Sequence, residues 1–367
     1  MLQPAARRTQ DIPPIIMEMK FWPFDLKLAH TWRIADTANG PGKDFYPVVF
    51  VELRSEDGRA GLGEAAPSAR YQENIQTVQA YLKQVDAARL SFEDAAASTR
   101  YLDSVAAGNY AAKTAVNLAL LDGWGRHARQ PVYDFLKLGF VEGRHVTSFS
   151  IGIDTPEVIR QKVETAAHYP VLKLKLGSPK DKENLAALRE VAPKKPVRVD
   201  ANEAWRTKEE ALKKLEWLAK DDHIQFVEQP MPADADPKAM AWLKERSPLP
   251  LFGDESYHHA DAAPRCADCF HGVNIKLVKS GGISGAYEAL QAARRFGLKT
   301  MIGCMIESSV LISAAAHLAE LADYLDLDGN LLITNDPYCG VTTSKGTLSF
   351  RTAEEPGGLR VTQRPEA

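Results

Sequence analysis

Two patterns of apolar and polar positions divide this chain. Over residues 19–28 and 46–54 apolar and polar side chains alternate, the period of a strand with one covered face. FYPVVFVEL is the clearer of the two. The turn-forming run SEDGRAGLGEA joins the second strand to a short third one ending near Glu64. Helical spacing follows at 72–86 and 92–105. In NYAAKTAVNLALLDGWGRHA apolar residues fall on nearly every side, which predicts a buried helix. A strand meander followed by helices is an α+β unit.

From about residue 145 the pattern changes. Short apolar runs at 145–151, 171–176, 197–201, 224–228, 250–254, 272–276, 299–303 and 322–327 read as strands. Amphipathic helices such as KENLAALREVA and TKEEALKKLEWLAK lie between them. Thr207, with Glu210 three residues on, forms a capping box at the start of the second. Strands this short and apolar are covered on both faces, as in a parallel sheet. Seven or eight βα units in about 185 residues predict a (β/α) barrel. The competing architecture is an open doubly wound sheet. It spreads its strands along a line and has difficulty gathering residues from five successive strands. A last strand pair, in GVTTSKGTLSF, is expected to return to the first domain. The boundaries read as a disordered extension at 1–16, an α+β domain at 17–140, the barrel at 141–335 and a returning segment at 336–367. On this reading translation starts at Met17 or Met19.

Polar residues sit where the apolar runs stop. Asp200 ends VRVD, Glu228 ends IQFVE and Asp254 follows LFG. Lys173 and Lys175 precede this series in LKLK, and Lys276 follows it in NIK. The steps from Lys175 to Asp200, Glu228, Asp254 and Lys276 are about 25, 28, 26 and 22 residues, each one βα repeat. In a barrel those strand ends share one rim, where active sites form. Three acids meeting there bind a cation or must be partly protonated. An all-oxygen donor set without His or Cys suits Mg²⁺. Singly, each acid also reads as a loop residue or helix cap.

Lys173 and Lys175 share a strand face, because side chains alternate with period two. Two adjacent ammonium groups disfavour double charging, so one pKa is expected to fall. Lys175, nearer the rim, is the candidate general base and Lys173 its electrostatic partner. Lys276 shares a face with Asn274, whereas Lys279 falls past the strand end in a supporting position. Lys175 on the second strand and Lys276 on the sixth stand roughly opposite each other in an eight-strand ring. Two such bases remove a proton from one face of a carbon and return it to the other. The expected chemistry is racemisation or epimerisation, with the metal stabilising an enediolate.

Composition narrows the partners. Of 367 residues 45% are apolar and 25% charged, with a net charge of −3, so there is no basic footprint for nucleic acid. No apolar run reaches the ~18 residues of a membrane span. The N-terminus has an Arg pair but no long apolar segment, which argues against a signal peptide. The four cysteines then read as reduced thiols of a cytoplasmic protein. Cys266 and Cys269 lack a second ligand pair for zinc and read as small apolar residues of a helix. The glycines of GGIS (281–284) serve a tight βα turn or, alternatively, cradle a phosphate.

Taken together, a set of short motifs resembles the enolase superfamily, its muconate-lactonising subgroup, and within that the dipeptide epimerases. They are Gly61-Leu-Gly63-Glu64-Ala65, Ala112-Lys-Thr-Ala-Val, Lys173-Leu-Lys175, Asp200-Ala-Asn202, Glu228-Gln-Pro230, Asp254-Glu-Ser256, Asn274-Ile-Lys276, Lys279-Ser-Gly-Gly282 and Met305-Ile-Glu307. The resemblance extends from about residue 19 to 345. The resemblance implies a (β/α)7β modified TIM barrel under an α+β N-terminal capping domain. It also implies Mg²⁺ on Asp200, Glu228 and Asp254, with catalytic lysines 175 and 276. Asn202, Glu255 and Glu307 would support them. Asp326 and Asp328 match the paired acids that bind the α-ammonium of a dipeptide. Where Ala-Glu epimerases carry an arginine after the first strand, this chain has His30, with Arg33 nearby but offset. Trp32 and Tyr71 offer aromatic walls, so a hydrophobic or mixed dipeptide is as well suited as Ala-Glu. The alternatives are a muconate cycloisomerase, an o-succinylbenzoate synthase, an N-acylamino-acid racemase and, more remotely, a non-catalytic metal-dependent binding barrel. A homo-oligomer is plausible on base rates.

Overall fold

Three antiparallel strands open the chain: β1 (Met17–Trp32), β2 (Lys43–Ser55) and β3 (Ala60–Ala65), hydrogen-bonded in that order. The structure is a computed structural model that describes residues 17–37 and 40–365. The extension expected at 1–16 lies outside the described residues. Three helices follow: α1 (Ile75–Leu82), α2 (Ala95–Val105) and α3 (Tyr110–Ala128). As its all-round apolar pattern predicts, α3 is buried along nearly its whole length. It lies directly on β3, where Gly61 and Gly63 leave room for it. A Cβ on either would fall about 2 Å from the carbonyl oxygen of Ala119 or Ala115.

After a short helix α4 (Val132–Phe135) the parallel sheet begins. Its eight strands are β4 (Phe149–Ile151), β5 (Leu172–Lys175), β6 (Val197–Asp200), β7 (Ile224–Glu228), β8 (Leu251–Gly253), β9 (Gly272–Ile275), β10 (Lys299–Gly303) and β11 (Tyr324–Asp326). They pair strictly in chain order. All eight expected strands form. A single Thr147–Leu325 bridge joins the first edge to the last, so the sheet is a nearly closed barrel and not an open one. Helices α5 (Pro156–Thr165), α6 (Asp181–Val191), α7 (Lys208–Leu218), α8 (Pro237–Arg246), α9 (Ala263–Cys269), α10 (Leu277–Ser280), α11 (Ile283–Arg295) and α12 (Ser309–Ala316) connect the strands.

Alternation along the strands separates two environments. Leu174, Val199, Val227, Leu251, Val273 and Ile302 face outward and pack under the helices. Phe226, Phe252, Met301 and Tyr324 face inward as a floor, in which Phe226 stacks on Phe252 and Tyr324 meets both rings edge-on. The cap of α7 differs in one arm from the expected box. Thr207 accepts from Glu210 N, but the Glu210 carboxylate accepts from Arg206 N at 2.9 Å. Cys266 and Cys269 lie buried in α9, as expected, and burial pushes the Cys266 thiol up to about 11.

The last segment serves both halves of the molecule. Strands β12 (Tyr338–Cys339) and β15 (Thr362–Gln363) pair, and β13 (Thr342–Ser344) with β14 (Thr347–Ser349) makes a hairpin. The hairpin joins the chain just before β4, through Thr147 N to Gly346 O at 2.8 Å. Residues 355–359 reach α3: Leu359 N donates to Asp122 at 2.8 Å and Arg126 pairs with Glu355 at 3.1 Å. Glu64 of β3 binds the start of α12, accepting from Ser308 N (2.9 Å), Ser308 Oγ (2.6 Å) and Leu311 N (3.1 Å). Burial pushes its carboxyl up to about 8. No helix among the described residues is long and apolar enough to cross a membrane.

Candidate active site

Asp200 and Glu228 end β6 and β7, Asp254 follows β8, and all three are fully buried. Each apolar strand holds its acid at the rim because its outward residues lock the register beneath the helices. The predicted lysines converge on them. Lys173 Nζ lies 2.7 Å from Glu228 Oε2, 2.7 Å from Asp326 Oδ2 and 3.1 Å from Asp200 Oδ2. Lys175 Nζ donates to Asp200 at 2.7 Å. Lys276 Nζ is 2.8 Å from Asp254 Oδ2. Lys279, expected only as a supporting residue, is buried too and donates to Asp254 Oδ1 (2.5 Å), Asp254 O (2.6 Å) and Asn274 O (3.1 Å).

Lys173 stays charged beside its neighbour Lys175. Burial lowers its pKa, but Asp326, Glu228 and Asp200 outweigh burial and hold it well above the ordinary lysine value. Lys276 is likewise held up against burial, mainly by Asp254. Despite its burial, Asp200 is kept at about 2 by Lys175 and Lys173. Glu228 is pushed up to about 7, by burial first and Asp200 second.

The three acids fit a hard divalent cation. Glu228 Oε2 and Asp254 Oδ2 are buried and accept no hydrogen bond. The ammonium groups at 2.7 and 2.8 Å from them are therefore ion-pair contacts without hydrogen-bond alignment. Buried carboxylate oxygens without donors, in an all-oxygen set, suit Mg²⁺. As placed, no three acidic, His or Cys groups among the described residues form a ready-made metal cluster. The lysine ammonium groups stand among the acids as their positive partners.

Strained backbone follows two of these acids. Asn202, Glu203 and Gln229 have φ of 40°, 65° and 36°, a region that costs a non-glycine residue roughly 1–3 kcal/mol. The turn is pinned by Asn202 N to Asp200 Oδ1 (2.9 Å) and Glu203 N to Gln229 O (2.9 Å). The backbone of Asn202 thus does the orienting, while its side-chain Oδ1 is buried without a partner. Glu255 places Oε2 in a similar position, and its carboxyl is pushed up to about 8 by burial and Asp254. Glu307 accepts from Met305 N at 2.9 Å and is pushed up to about 7 by burial.

Two contributors lay in the matched motifs without an assigned role. Gln229 Oε1 accepts from Asp254 N (2.9 Å) and Ser256 N (3.2 Å), tying β7 to the loop after β8. Asn274 donates to Glu228 Oε1 at 2.7 Å. The available signal was their position, next to Glu228 and two residues before Lys276.

The aspartate pair is not symmetric. Asp326 accepts from Lys173 and from Ser148 Oγ, each at 2.7 Å, and is held below the usual carboxylate range against its burial. Asp328 accepts from Ser150 N at 2.6 Å, and burial together with Asp326 pushes it up to about 7.

The N-terminal domain covers the rim. Trp32 lies over Gly152, where a Cβ would fall 3.2 Å from its ring. Ile153 N donates to Arg33 O at 3.0 Å, fastening the loop after β1 to the end of β4. Arg33 itself is spent on Pro41 O (3.0 Å), Gly40 O (3.3 Å) and Asp154 (3.7 Å). Arg70 is spent on Glu203, with two contacts of 2.5 and 2.6 Å. Tyr71 meets His258 edge-on at 5.0 Å. His30 is exposed near the end of β1.

A barrel with lysines and acids gathered on one rim, roofed by an α+β domain, is the architecture of a class of enzymes that the comparisons identify. Residues 38–137 match the mandelate racemase / muconate lactonizing enzyme N-terminal domain, and residues 157–333 match the enolase C-terminal domain-like family. The chain belongs to the enolase superfamily, in its mandelate racemase / muconate lactonizing enzyme group. It is 64% identical to an L-Ala-D/L-amino acid epimerase of Pedosphaera parvula, over 94% of this chain and 99% of the relative. Among solved structures it resembles a dipeptide epimerase from Cytophaga hutchinsonii complexed with Mg and D-Ala-L-Val. There the identity is 26%, the TM-score 0.86, and 96% of each chain is covered. It also resembles a dipeptide epimerase from Enterococcus faecalis V583 complexed with Mg and L-Leu-L-Tyr. That match has 28% identity and a TM-score of 0.84, over 95% of this chain and 100% of the other. With epimerases as its relatives, the protein is an isomerase.

Proposed function

We propose that this isomerase is a Mg²⁺-dependent dipeptide epimerase that inverts the α-carbon of the C-terminal residue. The observation that carries the reading is the placement of Lys175 and Lys276. They extend from the second strand and from just past the sixth strand of an eight-strand barrel, with Asp200, Glu228 and Asp254 at the ends of the strands between. Asp200, Glu228 and Asp254 would hold the cation, and a substrate carboxylate bound beside them would present its α-carbon to the two lysines. One lysine removes the α-proton, and the electron pair moves into the carboxylate to give an enediolate. The other lysine then protonates the opposite face, so atoms balance and nothing is oxidised. Asp200 and Asp254 orient the lysines through the contacts described. When bound, Mg²⁺ supplies positive charge that attracts the substrate carboxylate, eases charge build-up on it and competes with the lysines for their carboxylate partners. Asp328, with Asp326 beside it, accepts the dipeptide ammonium.

The same reading specifies the C-terminal side chain. Arg33 and Arg70, the arginines of the covering domain nearest the rim, are engaged by protein acceptors, while Trp32 and Tyr71 offer ring surface. An apolar or aromatic side chain suits that lining better than glutamate. The test is an L-Ala-L-X panel incubated with Mg²⁺ in D₂O and read by mass spectrometry. The expected result is one deuteron at the C-terminal α-carbon, fastest for apolar X. Absence of exchange across the panel, with metal bound, would overturn the reading.

One observation favours a second reading, an N-acylamino-acid racemase. Asp326 already has an ammonium partner in Lys173. Exchange of N-acetylated amino acids in preference to free dipeptides would select it.

A further inference from the structure

Arg198 has no part in the chemistry above, yet it is buried in the barrel. It lies on β6 one inward position below Asp200 and is 4% exposed. Its neighbours in that layer are rings: the guanidinium stands 5.6 Å from the centre of Phe226 and 5.1 Å from that of Tyr324. No carboxylate forms an ion pair with it among the described residues. Burying a guanidinium costs several kcal/mol, and an apolar side chain would fill this floor at lower cost. A charged group placed here must return something that packing does not.

Its hydrogen bonds show what. Arg198 Nη1 donates to Leu325 O at 2.6 Å and to Ser148 Oγ at 3.3 Å, and Nε donates to Gln225 at 3.1 Å. Leu325 and Ser148 flank the seam where the barrel closes. Elsewhere neighbouring strands share a ladder, but here one bridge, Thr147–Leu325, stands in for it. The remaining seam contacts use side chains. Ser148 Oγ donates to Asp326 (2.7 Å), Leu327 N to Thr147 Oγ1 (2.7 Å) and Ser150 N to Asp328 (2.6 Å). Both aspartates of the proposed ammonium site therefore hang on the least laddered joint of the barrel. Arg198 reaches the backbone of this joint from the third strand, as Lys173 reaches its Asp326 carboxylate from the second.

We propose that Arg198 is a positioning residue for the substrate ammonium site: gripping Leu325 O and Ser148 Oγ, it fixes the seam and sets where Asp326 stands. Lys173, bonded to Asp326, is held in turn. Arginine suits the task because Nε is anchored on Gln225 while Nη1 reaches Leu325 O and Ser148 Oγ, a two-nitrogen spacing that a single ammonium does not reproduce.

The test has two arms. The first rests on the dipeptide reading and compares Arg198→Lys, Ser148→Ala and the double variant. The expected result is a KM for dipeptide raised roughly tenfold in each single variant, with a smaller fall in kcat. The double variant should be no worse than the poorer single, because both act along one path to Asp326. Unchanged KM with a lowered Tm would make Arg198 a structural residue only, and multiplying KM effects would break the path; either overturns the proposal. Should Arg198→Lys not fold, Arg198→Gln takes its place in this arm, because Ser148→Ala also removes the direct Ser148–Asp326 bond; a Gln variant with unchanged KM overturns the proposal. The second arm needs no substrate. Hydrogen exchange of Arg198→Lys, or of Ser148→Ala in its place, should show faster exchange confined to peptides covering 146–151 and 324–328. Wild-type protection in those peptides would overturn the proposal. A wild type that turns over no dipeptide would be a failure of the functional reading, and the exchange arm would then decide.

Discussion

The floor and the rim of the barrel sit one pleat apart on the same strands, yet different forces hold them. β7 carries Phe226 below and Glu228 above; β11 carries Tyr324 below and Asp326 above; Phe252 lies below Asp254 in the same way. The floor is held by ring stacking, such as Phe226 on Phe252 at 4.1 Å. The rim is held by ion pairs and by backbone in left-handed conformations at Asn202, Glu203 and Gln229. Apolar burial dominates stability, whereas buried ion pairs contribute little net. The floor rings should therefore carry the fold and the rim the chemistry, with Arg198 the floor residue proposed to act on the rim.

The sharpest way to break that division is Glu228→Gln. Burial already pushes this carboxyl up to about 7, and a Gln side chain keeps the oxygen that accepts from Asn274. Epimerisation should fall below detection and Mg²⁺ affinity by at least about a hundredfold, while unfolding free energy stays within about 1 kcal/mol of wild type. Titration calorimetry and urea melts check both halves. A collapse in stability would show the rim to be structural. Phe226→Ala should do the reverse, costing about 3–5 kcal/mol in urea unfolding with kcat of the folded enzyme little changed. A large kcat loss without destabilisation would break the division from the other side.

The smallest effect concerns Glu64, which joins the two domains away from both layers. Its folded pKa of about 8 lies above its ordinary 4.5, so between these values the folded state binds the extra proton. Stability from this group is greatest at low pH and is lost as pH rises through that window. Glu64→Gln should flatten the fall in Tm between pH 5 and 8. An unchanged slope would remove Glu64 as its source.

Legibility in the sequence follows the same divide. Asp200, Glu228, Asp254, Lys175 and Lys276 were visible because each ends an apolar run at βα spacing, which needs no knowledge of closure. The eight strands were legible for the same reason. Lys173's bond to Asp326, across 153 residues, was not. It exists only because the ring closes and brings the second strand toward the eighth, and it adds Asp326 to the carboxylates that hold the Lys173 pKa up. Gln229 was silent because its task, holding Asp254 N from the next strand, leaves no periodic mark. The seam at Thr147–Leu325 was equally hidden, since strand length in the sequence does not report how many ladder bonds form.

The central claim is that Lys175 and Lys276 serve opposite faces of one carbon. The most direct test follows α-proton exchange by NMR in D₂O for Lys175→Ala and Lys276→Ala, each with the L,L and L,D epimers of an apolar dipeptide. The account predicts no epimerisation in either variant and exchange of one epimer only, a different one in each. Both variants exchanging both epimers at wild-type rates would contradict it.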